Sequence, residues 1–280
     1  MLDVLLDGVL DTLKLIPYLF ITFLILEFIE NKWNNQKQKR LMSNKKYGPV
    51  IGAFLGAFPE CGFGSIAANL FSARVISLGT LIAVFLATSD EMLPVMISQK
   101  VNISLVLKII LFKIIIGLIS GFIIDLFFNK KQSNKTSNIS QICEHDHCSC
   151  NRDGIILASI KHTLKTTFFI LIVNLLINAF IYYIGEDKLA SLLLHGNILT
   201  YFIASLIGLI PNCSGSIIIT QLYLANFISL GTMLAGLLSG SGVGILLLFK
   251  TNKNLKENLF ILSIIYFIGV IIGILLDLIL

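Results

Sequence analysis

The chain has 280 residues, 56% hydrophobic and only 13% charged, with a mean hydropathy of +0.89. A soluble domain carries about a quarter charged residues, so the composition excludes a soluble globular protein and points to an all-α polytopic membrane protein. The formal net charge of +5 is no argument for a nucleic-acid partner, because in a membrane protein the informative quantity is which loops hold the Lys and Arg residues.

Six segments, residues 5–29, 77–98, 103–128, 164–184, 228–249 and 258–280, are apolar over enough length to cross a hydrocarbon core of about 30 Å as helices. The first carries Asp3, Asp7 and Asp11 in place of a basic leader, so no signal peptide is expected there. Asp11, Lys14 and Glu27 bracket its apolar middle and are expected to mark its ends.

The next stretch, 49–73, is different. It contains Gly56-Ala57-Phe58-Pro59-Glu60-Cys61-Gly62-Phe63-Gly64-Ser65, and regular helical hydrogen bonding cannot run through such a segment. The stretch 190–226 repeats the pattern as Gly208-Leu209-Ile210-Pro211-Asn212-Cys213-Ser214-Gly215-Ser216. From Gly56 to Ser89 the two copies are identical at about 14 of roughly 34 positions, including Ile76-Ser77-Leu78-Gly79-Thr80 against Ile228-Ser229-Leu230-Gly231-Thr232. Gly117, Gly121 and Asp125 likewise align with Gly269, Gly273 and Asp277. Glycines four apart permit close contact between membrane helices, while the two aspartates fall near helix ends.

Each divided stretch either crosses once as a broken helix or enters and returns as a re-entrant hairpin. With hairpins, about 16 Lys and Arg residues face one side, in the groups Lys32–Lys46, Arg74, Lys130–Lys165 and Lys250–Lys256, against about three on the other. Crossing helices give a far weaker bias. The expected plan is therefore two inverted repeats, each of three transmembrane helices plus a re-entrant hairpin. Residues 1–128 form the first repeat, 129–160 a flexible polar linker on the cytoplasmic side, and 161–280 the second. The membrane is expected to be the plasma (inner) membrane.

Ser89-Asp90-Glu91 lies deep in the 77–98 segment. Ionisable groups at such depth cost several kcal/mol and usually face a cavity or pathway. Asp90 and Glu91 are candidates for cation coordination or proton exchange, against the plainer reading of a helix–helix hydrogen bond. Their counterparts in the second copy lie in Gly240-Ser241-Gly242-Val243-Gly244, without a carboxylate. Glu60, Cys61, Asn212 and Cys213 join the candidate ion-binding set if the two hairpin tips meet at mid-depth, the alternative being small residues packed at a tight turn. Lys108 is expected to snorkel toward one helix end. Lys113 lies deeper and is a candidate counter-ion for Asp90 or Glu91. The linker holds Cys143, His145, His147, Cys148 and Cys150, donors suited to a labile metal chelate rather than a structural zinc finger.

These residues resemble the ten-segment heavy-metal exporters, a family also labelled arsenic efflux proteins or manganese transporters. The resemblance runs from Asp11-Thr12-Leu13-Lys14-Leu15-Ile16-Pro17 through Phe58-Pro59-Glu60-Cys61-Gly62 and Leu86-Ala87-Thr88-Ser89-Asp90-Glu91-Met92-Leu93-Pro94. It continues to Pro211-Asn212-Cys213 and Gly242-Val243-Gly244. Ser214 departs from it, since such proteins commonly carry glycine after the second cysteine. The resemblance implies a membrane transporter that moves a heavy-metal or metalloid species outward. Its expected partners are lipid, the transported ion and a coupling proton, with no tightly bound cofactor and no nucleic acid. No Walker motif is present, so ATP hydrolysis by the chain is not expected and it is not read as an enzyme. A competing reading is a membrane thiol–disulfide electron carrier using Cys61 and Cys213.

Overall fold

The protein is described by a computed structural model covering residues 16–17, 19–21, 23–24, 47–57, 61–88, 92–132, 155–184, 193, 198–211 and 213–279, and all regular structure among these is helical. In chain order the helices are α1 Gly48–Gly56, α2 Cys61–Ser72, α3 Leu78–Ala87, α4 Met92–Ser98, α5 Ile103–Gln132 and α6 Ile155–Ile184. They continue as α7 Leu199–Gly208, α8 Cys213–Leu224, α9 Leu230–Ser239, α10 Val243–Thr251 and α11 Leu255–Ile279.

Local chemistry sets these boundaries. Pro49 sits in the first turn of α1, where its missing N–H costs nothing. Ser77 and Ser229 cap α3 and α9, each hydroxyl accepting from the backbone N–H three residues on, Thr80 at 3.2 Å and Thr232 at 3.1 Å. Asp125 of α5 adds a second cap to α3, accepting from Gly79 N at 2.8 Å and Ser77 Oγ at 2.6 Å. Asp277 of α11 does the same for α9, accepting from Gly231 N at 2.8 Å, from Ser229 Oγ and from Tyr201 OH at 2.8 Å. The paired aspartates therefore close helix N-termini across a helix–helix contact.

That contact needs glycine. A Cβ on Gly79 would collide with Gly121 O and come within 2.6 Å of the Asp125 carboxyl carbon, and one on Gly231 would meet Gly273 O and Asp277 in the same way. Removal of the side chains lets α3 lie against α5, and α9 against α11, at backbone distance.

Among the described residues, four stretches are long and apolar enough to cross a membrane: Leu78–Ser98, Ile103–Phe128, Leu230–Thr251 and Leu255–Ile279. The first and third are 73% and 78% buried within the protein, the other two only 28% each, so the former are central and the latter peripheral. On α5 the division is by face: Leu107, Leu111, Ile115, Ile119 and Ile123 point outward, while Ile109, Lys113, Gly117 and Gly121 point in.

The two central stretches differ from the sequence expectation of single helices over 77–98 and 228–249. Each is interrupted, the first between α3 and α4, the second at Gly240–Gly242 between α9 and α10. Gly242 has φ 50°, a left-handed conformation that glycine adopts without strain. A glycine-serine-glycine run inside an apolar segment thus ends one helix and starts the next.

Contacts fix the direction of each piece. Gly48 faces Thr80 and Gly56 faces Val84, so α1 runs parallel to α3. Gly64 lies beside Gly244 and Ser72 Oγ is 2.7 Å from Thr251 Oγ1, so α2 runs parallel to α10. At that same end Arg74 forms an ion pair with Glu257. Helices α1 and α2, of nine and 12 residues, are about 14 and 18 Å long at about 1.5 Å per residue, short of a full crossing. The chain goes in along α3 from the end where α2 has finished. It comes out to that end along α10, so the two interrupted helices run in opposite directions.

The core interlocks the two halves. One cluster joins Phe71, Leu81, Phe85 and Leu86 to Leu247, Leu248, Ile261 and Ile265. The other joins Met92, Met96 and Ile109 to Ile207, Ile219, Met233 and Leu234.

Candidate ion site at the helix breaks

The two interruptions meet. Thr88, the residue that ends α3, is 3% exposed; its hydroxyl lies 2.7 Å from Phe85 O and 3.0 Å from Gly240 O, the residue that ends α9. Gly240 is also the repeat counterpart of Thr88. On the same level α2 and α10 begin side by side, since a Cβ on Gly244 would lie 3.0 Å from Gly64 O and 2.8 Å from the Phe85 ring. The C-terminal ends of two half-helices and the N-terminal ends of two others are thereby gathered near one point. Helix ends carry partial charge of about half a unit, negative at the C-terminus and positive at the N-terminus, and such a gathering can bind cations and anions alike.

Lys113 reaches this point from α5. Its side chain is fully buried, at 0% exposure, and lies about 15 Å along the helix from Ile103 at about 1.5 Å per residue. The ammonium donates to Thr88 O and, at 3.1 Å, to Leu237 O. Thr88 O terminates α3, and Leu237 O belongs to the last turn of α9, where carbonyls lack intrahelical partners. The lysine therefore ties together ends from both halves. Lys108, by contrast, is exposed, in keeping with a side chain directed out of the packed interior.

Of the remaining sequence candidates, Cys61 and Cys213 open α2 and α8. Glu60, Ser89, Asp90, Glu91 and Asn212 lie outside the described residues, as do Cys143, His145, His147, Cys148 and Cys150. Among the described residues no group of three or more His, Cys, Asp or Glu is placed to hold a metal ion.

Sequence reasoning missed three polar residues. Thr88 was passed over beside Asp90, although its hydroxyl makes the contact between the breaks. Ser241 is 3% exposed, and its hydroxyl has no hydrogen-bond partner among the described residues. Asn69 on α2 is 1% exposed, with neither amide atom paired among the described residues. A buried polar group without a partner costs about 1–3 kcal/mol, so these two side chains depart from the usual pairing of buried polar groups. The signal in the sequence was two hydrogen-bonding side chains at Ser65 and Asn69, one helical turn apart in a stretch noted only for its Pro-x-Cys.

No curated protein and no solved structure matches the chain. A family model described as "Putative, 10TM heavy-metal exporter" matches residues 2–201 and 174–280. With essentially the whole length covered, the chain belongs to this family of heavy-metal exporters.

Proposed function

We propose that the protein is a secondary transporter of the plasma membrane that moves a heavy-metal or metalloid species outward, a divalent cation such as manganese or an arsenic species. Two inverted repeats, residues 1–128 and 161–280, rock about an ion site at the helix breaks, and the linker 129–160 is cytoplasmic. The observation that carries this reading is the contact of the two interruptions at Thr88 and Gly240, with the Lys113 ammonium seated on carbonyls from both halves. Interrupted helices that bring their ends together at mid-depth are a common plan for ion-coupled transport. Asp90 and Glu91 follow Thr88 by two and three residues and supply the carboxylates for the transported ion, Ser89, Glu60, Asn212, Cys61 and Cys213 the further donors, and Lys113 the counter-charge. A proton exchanged at Asp90 or Glu91 would couple transport to the proton gradient. The linker residues Cys143, His145, His147, Cys148 and Cys150 collect or sense metal.

The test is flux in proteoliposomes, with Mn²⁺, Zn²⁺ and arsenite compared for the unmodified protein and Asp90→Asn. Movement of one species, abolished by the substitution in a protein that still folds, is the expected result. Absence of movement for all three ions sinks the reading.

A second reading is a thiol–disulfide electron carrier, favoured by the placement of Cys61 and Cys213 at equivalent first positions of two half-helices. Replacement of both by serine abolishes such a relay outright, whereas a carboxylate-based cation site is only weakened.

A further inference from the structure

We propose that the meeting point of α3 and α9 is a binding site for one small monovalent cation, and that its resident is the ammonium of Lys113, held there on a tether. Among the described residues, Nζ donates to Thr88 O and Leu237 O, backbone carbonyls at helix C-termini. Hard carbonyl oxygens at the negative ends of half-helices are the ligands that free Na⁺ or K⁺ takes in interrupted-helix proteins. Here the position is filled by the chain's own charge.

The site is made once. Helix α5 presents Ile109, Lys113, Gly117 and Gly121 inward. A Cβ on Gly117 would lie 2.8 Å from Ala83 O, so the backbones approach closely enough for the lysine to reach the end of α3. The residue that corresponds to Lys113 in the second copy is Ile265, fully buried in the apolar core. Two copies of the scaffold thus share one cation.

A consequence follows for ion dependence. With its own ammonium in the cradle, the protein needs no Na⁺ or K⁺ at this position. Once the tether is shortened, the cradle is open to a free cation of similar size. This inference concerns occupancy of the carbonyl cradle and does not depend on which species the protein transports.

The experiment uses the purified full chain in detergent. Thermal unfolding of the unmodified protein, Lys113→Ala and Lys113→Ser is followed in choline buffer. Ammonium, methylammonium, Na⁺ and K⁺ are then titrated at constant ionic strength. The unmodified protein is expected to be indifferent to all four. Both variants are expected to unfold several degrees lower in choline and to recover saturably with at least one small cation. Lys113→Gln, which keeps N–H donors without charge and fills the space, is expected to be destabilised and unresponsive. If the variants do not survive purification in choline, the yield of folded protein after solubilisation in each cation is the readout. No response of either small variant to any cation overturns the site, and so does a Lys113→Gln protein as stable as the unmodified one. Because the readout is binding, a transport-inactive preparation that still shows cation rescue supports the site while counting against the transporter reading.

Discussion

The ion pair between Arg74 and Glu257 offers a quantitative test of how the two halves are held together at one end. Arg74 Nη1 and Nη2 donate to Glu257 Oε1 and Oε2 at 2.9 and 2.5 Å, a two-pronged geometry, and the side chains are 13% and 18% exposed. Asn252 Nδ2 also donates to Oε2 at 3.0 Å, and the guanidinium stacks 5.0 Å from the Phe71 ring centroid. Exposed pairs are worth about 0–1 kcal/mol, and removal of one partner from a fully buried pair costs about 3–5 kcal/mol. A forked pair this far from solvent, yet not sealed from it, falls between, at roughly 2 kcal/mol for Glu257→Gln. At about 2–3 °C per kcal/mol for a long chain, the midpoint should fall by about 5 °C.

The assay is a double-mutant cycle by thermal unfolding in detergent, with Arg74→Gln, Glu257→Gln and the double variant. A coupling energy of about 1–2 kcal/mol is expected, since contacting charged partners do not act additively. Additivity within about 0.3 kcal/mol would mean that the pair contributes nothing beyond its separate contacts, and the reasoning that it holds the two halves together would be wrong.

The glycine contacts predict a sharp contrast. Gly79→Ala and Gly231→Ala drive a methyl into backbone oxygen and should each lose about 2–3 kcal/mol of stability, as overpacking does, whereas Gly64→Ala, whose new Cβ meets no atom of the described residues nearer than 3.6 Å, should fall within about 1 kcal/mol by the same thermal assay. Asp125→Asn removes the charge from two hydrogen bonds that cap α3 and should cost about 1–2 kcal/mol, read as a lower melting midpoint with unchanged helical circular dichroism. On α5, Lys108→Gln should leave stability and transport unaltered, because the side chain is exposed and surface substitutions stay within about 0.5 kcal/mol.

How much of this was legible follows from the range of the interactions involved. The Pro-x-Cys divisions, the twin glycines of α5 and α11 and the depth of Lys113 are local patterns, and hydropathy with helical spacing was enough to find them. The break at Gly240–Gly242 was not found because apolar length alone read 228–249 as one helix; mean hydropathy carries no information on the backbone turn that Gly242 makes at φ 50°. Arg74 was counted only as a topological charge, since its partner is 183 residues away and no spacing rule connects them. Asp125 and Asp277 were recognised as equivalent and terminal, but their capping role depends on α3 and α9 lying across them, which is a tertiary fact.

The equivalences also separate scaffold from function. At Ser77 and Ser229, Gly79 and Gly231, and Asp125 and Asp277, where the copies agree, the residues cap and pack helices. At some of the positions where they disagree, only one copy carries charge: Lys113 corresponds to Ile265, Arg74 to Asn226, Glu257 to Leu105, and Asp90-Glu91 to Gly242-Val243. Arg74 and Asn226 even share the left-handed backbone, at φ 62° and 60°, so the turn is held in common while only one copy uses it to reach a carboxylate. On the proposal that the halves rock between two arrangements, a ligand or an ion pair need supply only a few kcal/mol to favour one of them. The Arg74–Glu257 pair joins the halves at one end, so on that same proposal its loss should shift the balance toward the arrangement open at that end. Cysteine-accessibility labelling of positions near Arg74 would read the shift, and unchanged labelling in Glu257→Gln would show that the pair stabilises both arrangements equally.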